Sequence, residues 1–287
     1  MAWGHFNEGL WKAGNTRMSS PGKPSPRYPE SMSAAEPAIA LDGVHVVRQG
    51  KTLLDDVAWR VDDGEHWAML GPNGAGKSTL LSLAGAVNFP TSGTVRILGE
   101  TMGAVEIRRL RERIGHVNPR HPVRSSMTAR DVVLAGLTGT TERMTRWEPS
   151  PAESARADEL LIEFGLDGTL RWPTMSQGER GRALIARALI ADPELVLFDE
   201  PTTGLDVAAR EQFLTSMDAL PMTTVTVTHH LEELPKTTTH ALLIAGGRVL
   251  AAGPADEVLT SANVSACFDY PLTVTRDDGR WVARATG

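Results

Sequence analysis

The spacing of apolar residues changes along the chain, and the changes divide it into segments. From Ile39 the spacing is that of strands. Ala40-Leu41 and residues 44–47 read as strand, Gln49-Gly50 as a turn, and Val57, Trp59 and Val61 alternate as on a half-buried strand. Asp62-Asp63-Gly64 turns the chain into a short apolar run at 67–70, a helical run follows at 80–87, and Ser92-Gly93 opens a further strand at 94–98. This pattern predicts an antiparallel sheet flanking a strand–loop–helix unit. From about 125 to 175 the reading is helical. Thr128 with Asp131 marks one capped start, ahead of Val132, Val133, Leu134 and Leu137. Residues 138–149 form a polar linker. Ser150, Pro151 and Glu153 supply an N-cap, an N1 proline and an N3 acid for a second helix that ends near Gly165. The block, about 118–175, reads as a helical subdomain inserted into an α/β pattern.

Beyond it the spacing predicts a helix over 181–191, ended by Pro193, and a fully apolar strand over 195–198. A β-branched strand follows over 223–228, then a hairpin turning on Gly246-Gly247 and a short helix over 254–259. A last hairpin is expected around Asp277-Asp278-Gly279. The predicted organisation is a Pro-rich tail at 1–37, a main domain at 38–263 and a C-terminal β-hairpin appendage at 264–287. Pro21, Pro24, Pro26, Pro29 and Pro37 alternate with Ser, Gly and charge in the tail, too little apolar surface to offset ordering, so disorder is expected there. Trp3, Phe6 and Trp11 read either as a partner-binding motif or as tail residues without a selected role.

Composition narrows the picture only a little. The chain has 287 residues with 41% hydrophobic, enough for one large domain or two small ones with a substantial core. A net charge of -6 gives no global pull toward nucleic acid or an anionic membrane. Arg108, Arg109, Arg111 and Arg113 form a basic run, but Glu106 and Glu112 interleave with it, as on a solvated helix face. The single cysteine, Cys267, excludes an intrachain disulfide and a cysteine metal cluster, and suits a reducing cytoplasm. No apolar run reaches the length of a membrane span, so work at a membrane would need a partner to supply one.

Three places carry chemistry. Gly71-Pro72-Asn73-Gly74-Ala75-Gly76-Lys77-Ser78-Thr79 stands between the apolar run and the helix with the spacing G-x-x-x-x-G-K-S. Its glycines let backbone N–H groups turn inward onto phosphate oxygens, and the helix adds its positive end. Lys77 would reach the β- and γ-phosphates and Ser78 would place a hydroxyl on Mg²⁺. Second, the strand at 195–198 empties Asp199 and Glu200 at its C-terminal end, the usual position of a ligand site in an α/β sheet. Asp199 would hold Mg²⁺ directly or through water, and Glu200 would orient and polarise the attacking water. Third, Met175-Ser176-Gln177-Gly178-Glu179-Arg180 opens a helix. A capping box explains Ser176 and Glu179 but not Gly178, which close backbone approach to an anion would explain. His229-His230 invites a metal reading. Neighbours on a strand point to opposite faces and no third ligand is evident, so that reading is set aside.

Taken together the motifs over about 39–260 resemble the ATP-binding cassette (ABC) ATPase family. The glycine loop matches Walker A, and residues 195–200 match Walker B with the catalytic glutamate. Residues 175–179 resemble the LSGGQ signature, with Met for Leu, Gln177 for the first Gly and Glu179 for Gln. Gly204-Leu205-Asp206 matches the D-loop, and His229 the switch histidine. The resemblance implies an α/β P-loop NTPase core with a flanking antiparallel β-subdomain and an inserted helical subdomain. It also implies ATP and Mg²⁺ as cofactors, with Lys77, Glu200 and His229 in catalysis. ATP would lie between Walker A of one copy and Ser176 and Gly178 of another, with Asp206 near the same seam. The implied partners are a second copy or a paralogue and an integral membrane permease subunit, with no nucleic acid. That places the chain on the cytoplasmic face of a membrane, peripheral through its partner. The alternative class is an ABC ATPase acting on nucleic acid or ribosomes, and a third is a nucleotide-dependent regulator with little turnover. Two departures stand out. Asn118-Pro119-Arg120 replaces the usual glutamine after the strand at 114–117, and Arg48 stands where an aromatic often stacks on adenine, a place an Arg plane can take.

Overall fold

The structure, a computed structural model, describes residues 36–120, 123, 127–139 and 147–286. The expected tail up to residue 35, with Trp3, Phe6 and Trp11, and most of the expected linker, residues 140–146, lie outside the described residues. In chain order the elements are β1 (Ile39–Arg48), β2 (Lys51–Val61), β3 (His66–Leu70), α1 (Lys77–Ala84), β4 (Ser92–Ile97), β5 (Glu100–Thr101), α2 (Ile107–Glu112) and β6 (Ile114–Val117). The helical block follows as α3 (Ala129–Leu134) and α4 (Pro151–Glu163), then α5 (Gln177–Leu189). The rest comprises β7 (Leu195–Asp199), α6 (Val207–Asp218), β8 (Thr223–Val227), β9 (His240–Ala245), β10 (Arg248–Pro254), α7 (Ala255–Val258), α8 (Ser261–Phe268), β11 (Leu272–Asp277) and β12 (Arg280–Ala285).

The fold is mixed α/β. A four-stranded antiparallel sheet runs β2-β1-β4-β5, and a six-stranded sheet runs β10-β9-β3-β8-β7-β6. In the second sheet every neighbouring pair is parallel except β9 with β10. Its inner strands β9, β3, β8 and β7 are covered on both faces, which is why β7 reads as an unbroken apolar run. Val196 and Phe198 face the cluster built on the helical block and α6, whereas Leu195 and Leu197 face the cluster around Leu80 and Leu83 of α1. β3 divides likewise, Trp67 and Met69 to the α1 side, Ala68 and Leu70 to the side of α7 and α8. Phe198 is fully buried, a contribution on the order of 2–3 kcal/mol.

The predicted caps are present. Thr128, Ser150 and Ser176 each close a capping box, with Asp131, Glu153 and Glu179 respectively. Other elements compare with the expectations as follows. β1 is one strand, as expected, and stays paired through register shifts between Leu41 and Val47, near Gly43 at positive φ. α5 starts at Gln177, four residues before the expected Gly181, since Ser176 is its true cap. α8 was not expected. Its sequence is small and polar and buries only Val264 and Cys267, one turn apart, behind a Thr260 cap. The last hairpin turns on Asp278-Gly279 and buries Trp281 against Leu231 and Leu234. The basic run 108–113 is a solvated face as expected. Arg108 pairs with Glu112 and Arg109 with Glu106, while Arg111 donates to the Ala86 carbonyl.

Candidate functional site

Four adjacent strands, β3, β8, β7 and β6, deliver the candidate residues, all from their C-terminal ends. β3 leads into the glycine loop. Gly76 sits at φ 109, and a Cβ there would lie 2.9 Å from the Leu53 carbonyl oxygen, so position 76 admits glycine on conformation and on space. The loop is tied down from outside its own turn. The Gly247 N–H donates to the Ala75 carbonyl at 2.9 Å, and the Asp55 N–H donates to the Gly247 carbonyl. α1 begins at once after Gly76, and its first internal bond is Leu80 N–H to the Gly76 carbonyl. The amides of Lys77, Ser78 and Thr79 therefore have no carbonyl behind them within the helix, and no acid stands in the first turn to neutralise its positive end.

Lys77 is buried and donates to the Gly71 carbonyl at 2.6 Å and to the Pro72 carbonyl at 3.0 Å. Burial lowers its pKa, against the opposing charge of Glu200 and of Asp199. With three N–H donors, the ammonium keeps one beyond the two carbonyls.

β7 ends in the two carboxylates. Burial raises the Asp199 pKa, the Glu200 charge adds to the rise, and Arg120 and Lys77 oppose it. Asn118, just past β6, donates from Nδ2 to Asp199 Oδ2 at 3.1 Å. Glu200 sits in the left-handed region at φ 48, with its N–H on the Val227 carbonyl at 2.9 Å. Arg120 donates to Glu200 Oε2 at 3.0 Å. His229 Nδ1 lies 3.4 Å from Glu200 Oε1 but is not aligned as a hydrogen bond, so this buried nitrogen is left unsatisfied. The cleft these groups enclose has a volume of about 390 Å³ and is lined by Asn73 and Ser78 of the loop, by Asn118, Pro119 and Arg120, and by Asp199, Glu200 and His229.

The expectation that His229 and His230 point to opposite faces is corrected. β8 ends at Val227, so strand alternation does not reach them, and the two rings lie 4.0 Å apart. Among the described residues no group of three His, Cys, Asp or Glu stands where it could hold a metal. A hard divalent cation would instead take the Ser78 hydroxyl and the Asp199 carboxylate and keep its other positions for water or phosphate oxygens, a donor set that fits Mg²⁺.

Residues 54–203 match the ABC transporter family model. The chain is 38% identical over 252 residues to the ABC transporter ATP-binding protein YlmA of Bacillus subtilis, covering 84% of this chain and 95% of that protein. It is 34% identical to an ABC transporter ATP-binding protein of Streptococcus mutans, over 84% of this chain and 96% of that one. This chain belongs to the ABC transporter family. Among solved structures it resembles a dimeric ATP-binding cassette in a post-hydrolysis state bound to ADP and Pi, with TM-score 0.65 and 26% identity over 75% of this chain and 98% of that one.

The family binds ATP and its membership implies hydrolysis; the relatives named above are ATP-binding proteins of ABC transporters. Among the described residues of this ABC protein no helix is long and apolar enough to cross a membrane. Ser176 and Gly178, expected to face a nucleotide on another copy, do not line this cleft. Ser176 caps α5 by accepting from the Glu179 N–H at 3.2 Å, while its own N–H and hydroxyl donate to Glu179 Oε2 at 2.7 and 2.9 Å and hold the Glu179 pKa down. Arg180 anchors the segment before the cap by donating to the carbonyls of Trp172 and Pro173. Gly178 has a packing reason that the sequence did not reveal. A Cβ there would lie 3.2 Å from the Ala209 side chain on α6. Asp206 caps α6 through the Ala209 N–H at 2.8 Å, beside Val207, which is 70% exposed.

Arg48 is not brought to the cleft. Its guanidinium donates to the Phe89 carbonyl at 2.8 Å and to Thr91 Oγ1 at 3.4 Å. Sequence reading treated Asn118 and Arg120 only as a missing glutamine. Their position just after an apolar run that becomes the parallel neighbour of β7 was the signal that both would reach the carboxylates.

Proposed function

We propose that this chain is the ATP-hydrolysing subunit of an ABC transporter whose membrane-spanning part is a separate permease chain. It works as a dimer with a second copy or a paralogue, peripheral on the cytoplasmic face through that permease. The observation carrying the reading is the meeting, in one cleft, of the loop from β3, His229 from beyond β8, the two carboxylates at the end of β7 and Asn118 from beyond β6.

In this reading the loop residues from Gly71 to Thr79 and the free amides of α1 grip the phosphates, and Lys77 leaves its two carbonyls to meet the terminal ones. Ser78 and Asp199 hold Mg²⁺, whose chemistry is to neutralise charge on the phosphates during transfer. Glu200 takes the proton from the attacking water, and His229, with its unsatisfied nitrogen beside Glu200, holds the terminal phosphate. Ser176 and Gly178 close the site from the opposite subunit, with Asp206 at the seam.

The test is to purify the tagged chain from detergent-solubilised membranes and assay it with and without Mg²⁺ and with added DNA or RNA. An integral membrane protein in stoichiometric amount and Mg²⁺-dependent hydrolysis are expected. A chain without such a companion, whose hydrolysis is stimulated by nucleic acid, overturns the proposal.

A further inference from the structure

The ion pair between Arg120 and Glu200 has no evident structural purpose. The Arg120 side chain is 74% exposed and Glu200 22% exposed, the kind of pair that adds little to stability and is easily opened. Its base, by contrast, is fixed. The Arg120 N–H donates to Asn118 Oδ1 at 2.8 Å, and Asn118 is itself bonded to Asp199. Arg120 is thus an exposed guanidinium on an anchored backbone, lining the same cleft as Ser78 of the phosphate loop. It rests on the one carboxylate that must be free to accept a proton from water. The groups around it are the carboxylates of Asp199 and Glu200, the ammonium of Lys77 and the imidazole of His229.

We propose that Arg120 reads the terminal phosphate. Without a triphosphate it lies on Glu200. When a triphosphate is bound, its planar fork transfers to the oxygens of the last phosphate, a stronger anion than one carboxylate and matched to two parallel N–H donors. The transfer releases Glu200 at the moment its substrate is in place, and a diphosphate, lacking that group, leaves Arg120 where it is. Arg120 is in this way a specificity-determining residue for triphosphate over diphosphate. The proposal rests on the assignment of the cleft to ATP.

The experiment is equilibrium titration of the full chain, wild type, Arg120→Ala and Arg120→Lys, with ADP and with the non-hydrolysable imido analogue of ATP. The expected result is that Arg120→Ala weakens the triphosphate analogue by roughly tenfold or more and leaves ADP within about twofold. Arg120→Lys, which keeps the charge but loses the fork, falls between. Equal changes for both nucleotides, or none for either, overturn the role of Arg120 while leaving the cleft assigned to ATP. Wild-type protein that binds neither nucleotide overturns both.

Discussion

Acidification should destabilise this protein in part through His116, whose contribution can be isolated. The imidazole sits on β6 facing the C-cap of α1, and its Nε2, 2.9 Å from where a Cβ on Gly85 would stand, is buried and has no hydrogen-bond partner. Burial, with Arg187 adding to it, pushes its pKa from 6.5 down to about 4. The sign follows from proton binding. Between these two values the unfolded chain takes up a proton that the folded chain refuses, so stability falls as the pH falls, by about 1.4 kcal/mol per pH unit at the steepest. Nothing is lost above about pH 7.5, and about 2 kcal/mol is lost by pH 5. The assay is urea unfolding at a series of pH values from 8 to 5 for the wild type and for His116→Leu, which cannot titrate. Carboxylates common to both chains cancel in the difference. The gap between the two stability curves should be constant above about pH 7.5 and shift by about 2 kcal/mol in favour of the variant by pH 5. Parallel curves across the range would refute the reasoning.

Two further outcomes are expected. Lys77→Ala should lower ATP affinity or turnover at least tenfold, since the one buried ammonium of the loop is lost; an ATP titration and a rate matching wild type would contradict its role. Gly71→Ala should destabilise the fold by about 2 kcal/mol or more, because the new Cβ would stand 2.0 Å from the Ile244 carbonyl oxygen where β3 and β9 run side by side; a melting temperature unchanged within a degree would show that the strands yield freely.

What the sequence disclosed, and what it hid, divides along physical lines. Local signals were legible because they need only neighbours: the capping boxes at Thr128, Ser150 and Ser176, the turns at Gly246-Gly247 and Asp278-Gly279, and the glycine loop between strand and helix. The apolar run of β7 announced a strand buried on both faces, and the carboxylates at its end announced the site. Contacts across the sheet were not legible. That Arg120 reaches Glu200, or that Gly178 lies against Ala209, depends on which strands and helices become neighbours, which no spacing within either segment records. α8 escaped because two buried residues in eight make no stripe, and Arg48 drew attention by position while its guanidinium engages Phe89 and Thr91.

The most direct test of the central claim, that this cleft binds Mg²⁺-ATP and uses Glu200 to hydrolyse it, is the nucleotide retained by the Glu200→Gln chain. The chain is purified with its partner chains after incubation with Mg²⁺-ATP. The account predicts intact ATP retained on the variant, with turnover slowed roughly 100-fold or more against wild type. Glu200→Gln protein that converts ATP to ADP at the wild-type rate would contradict it.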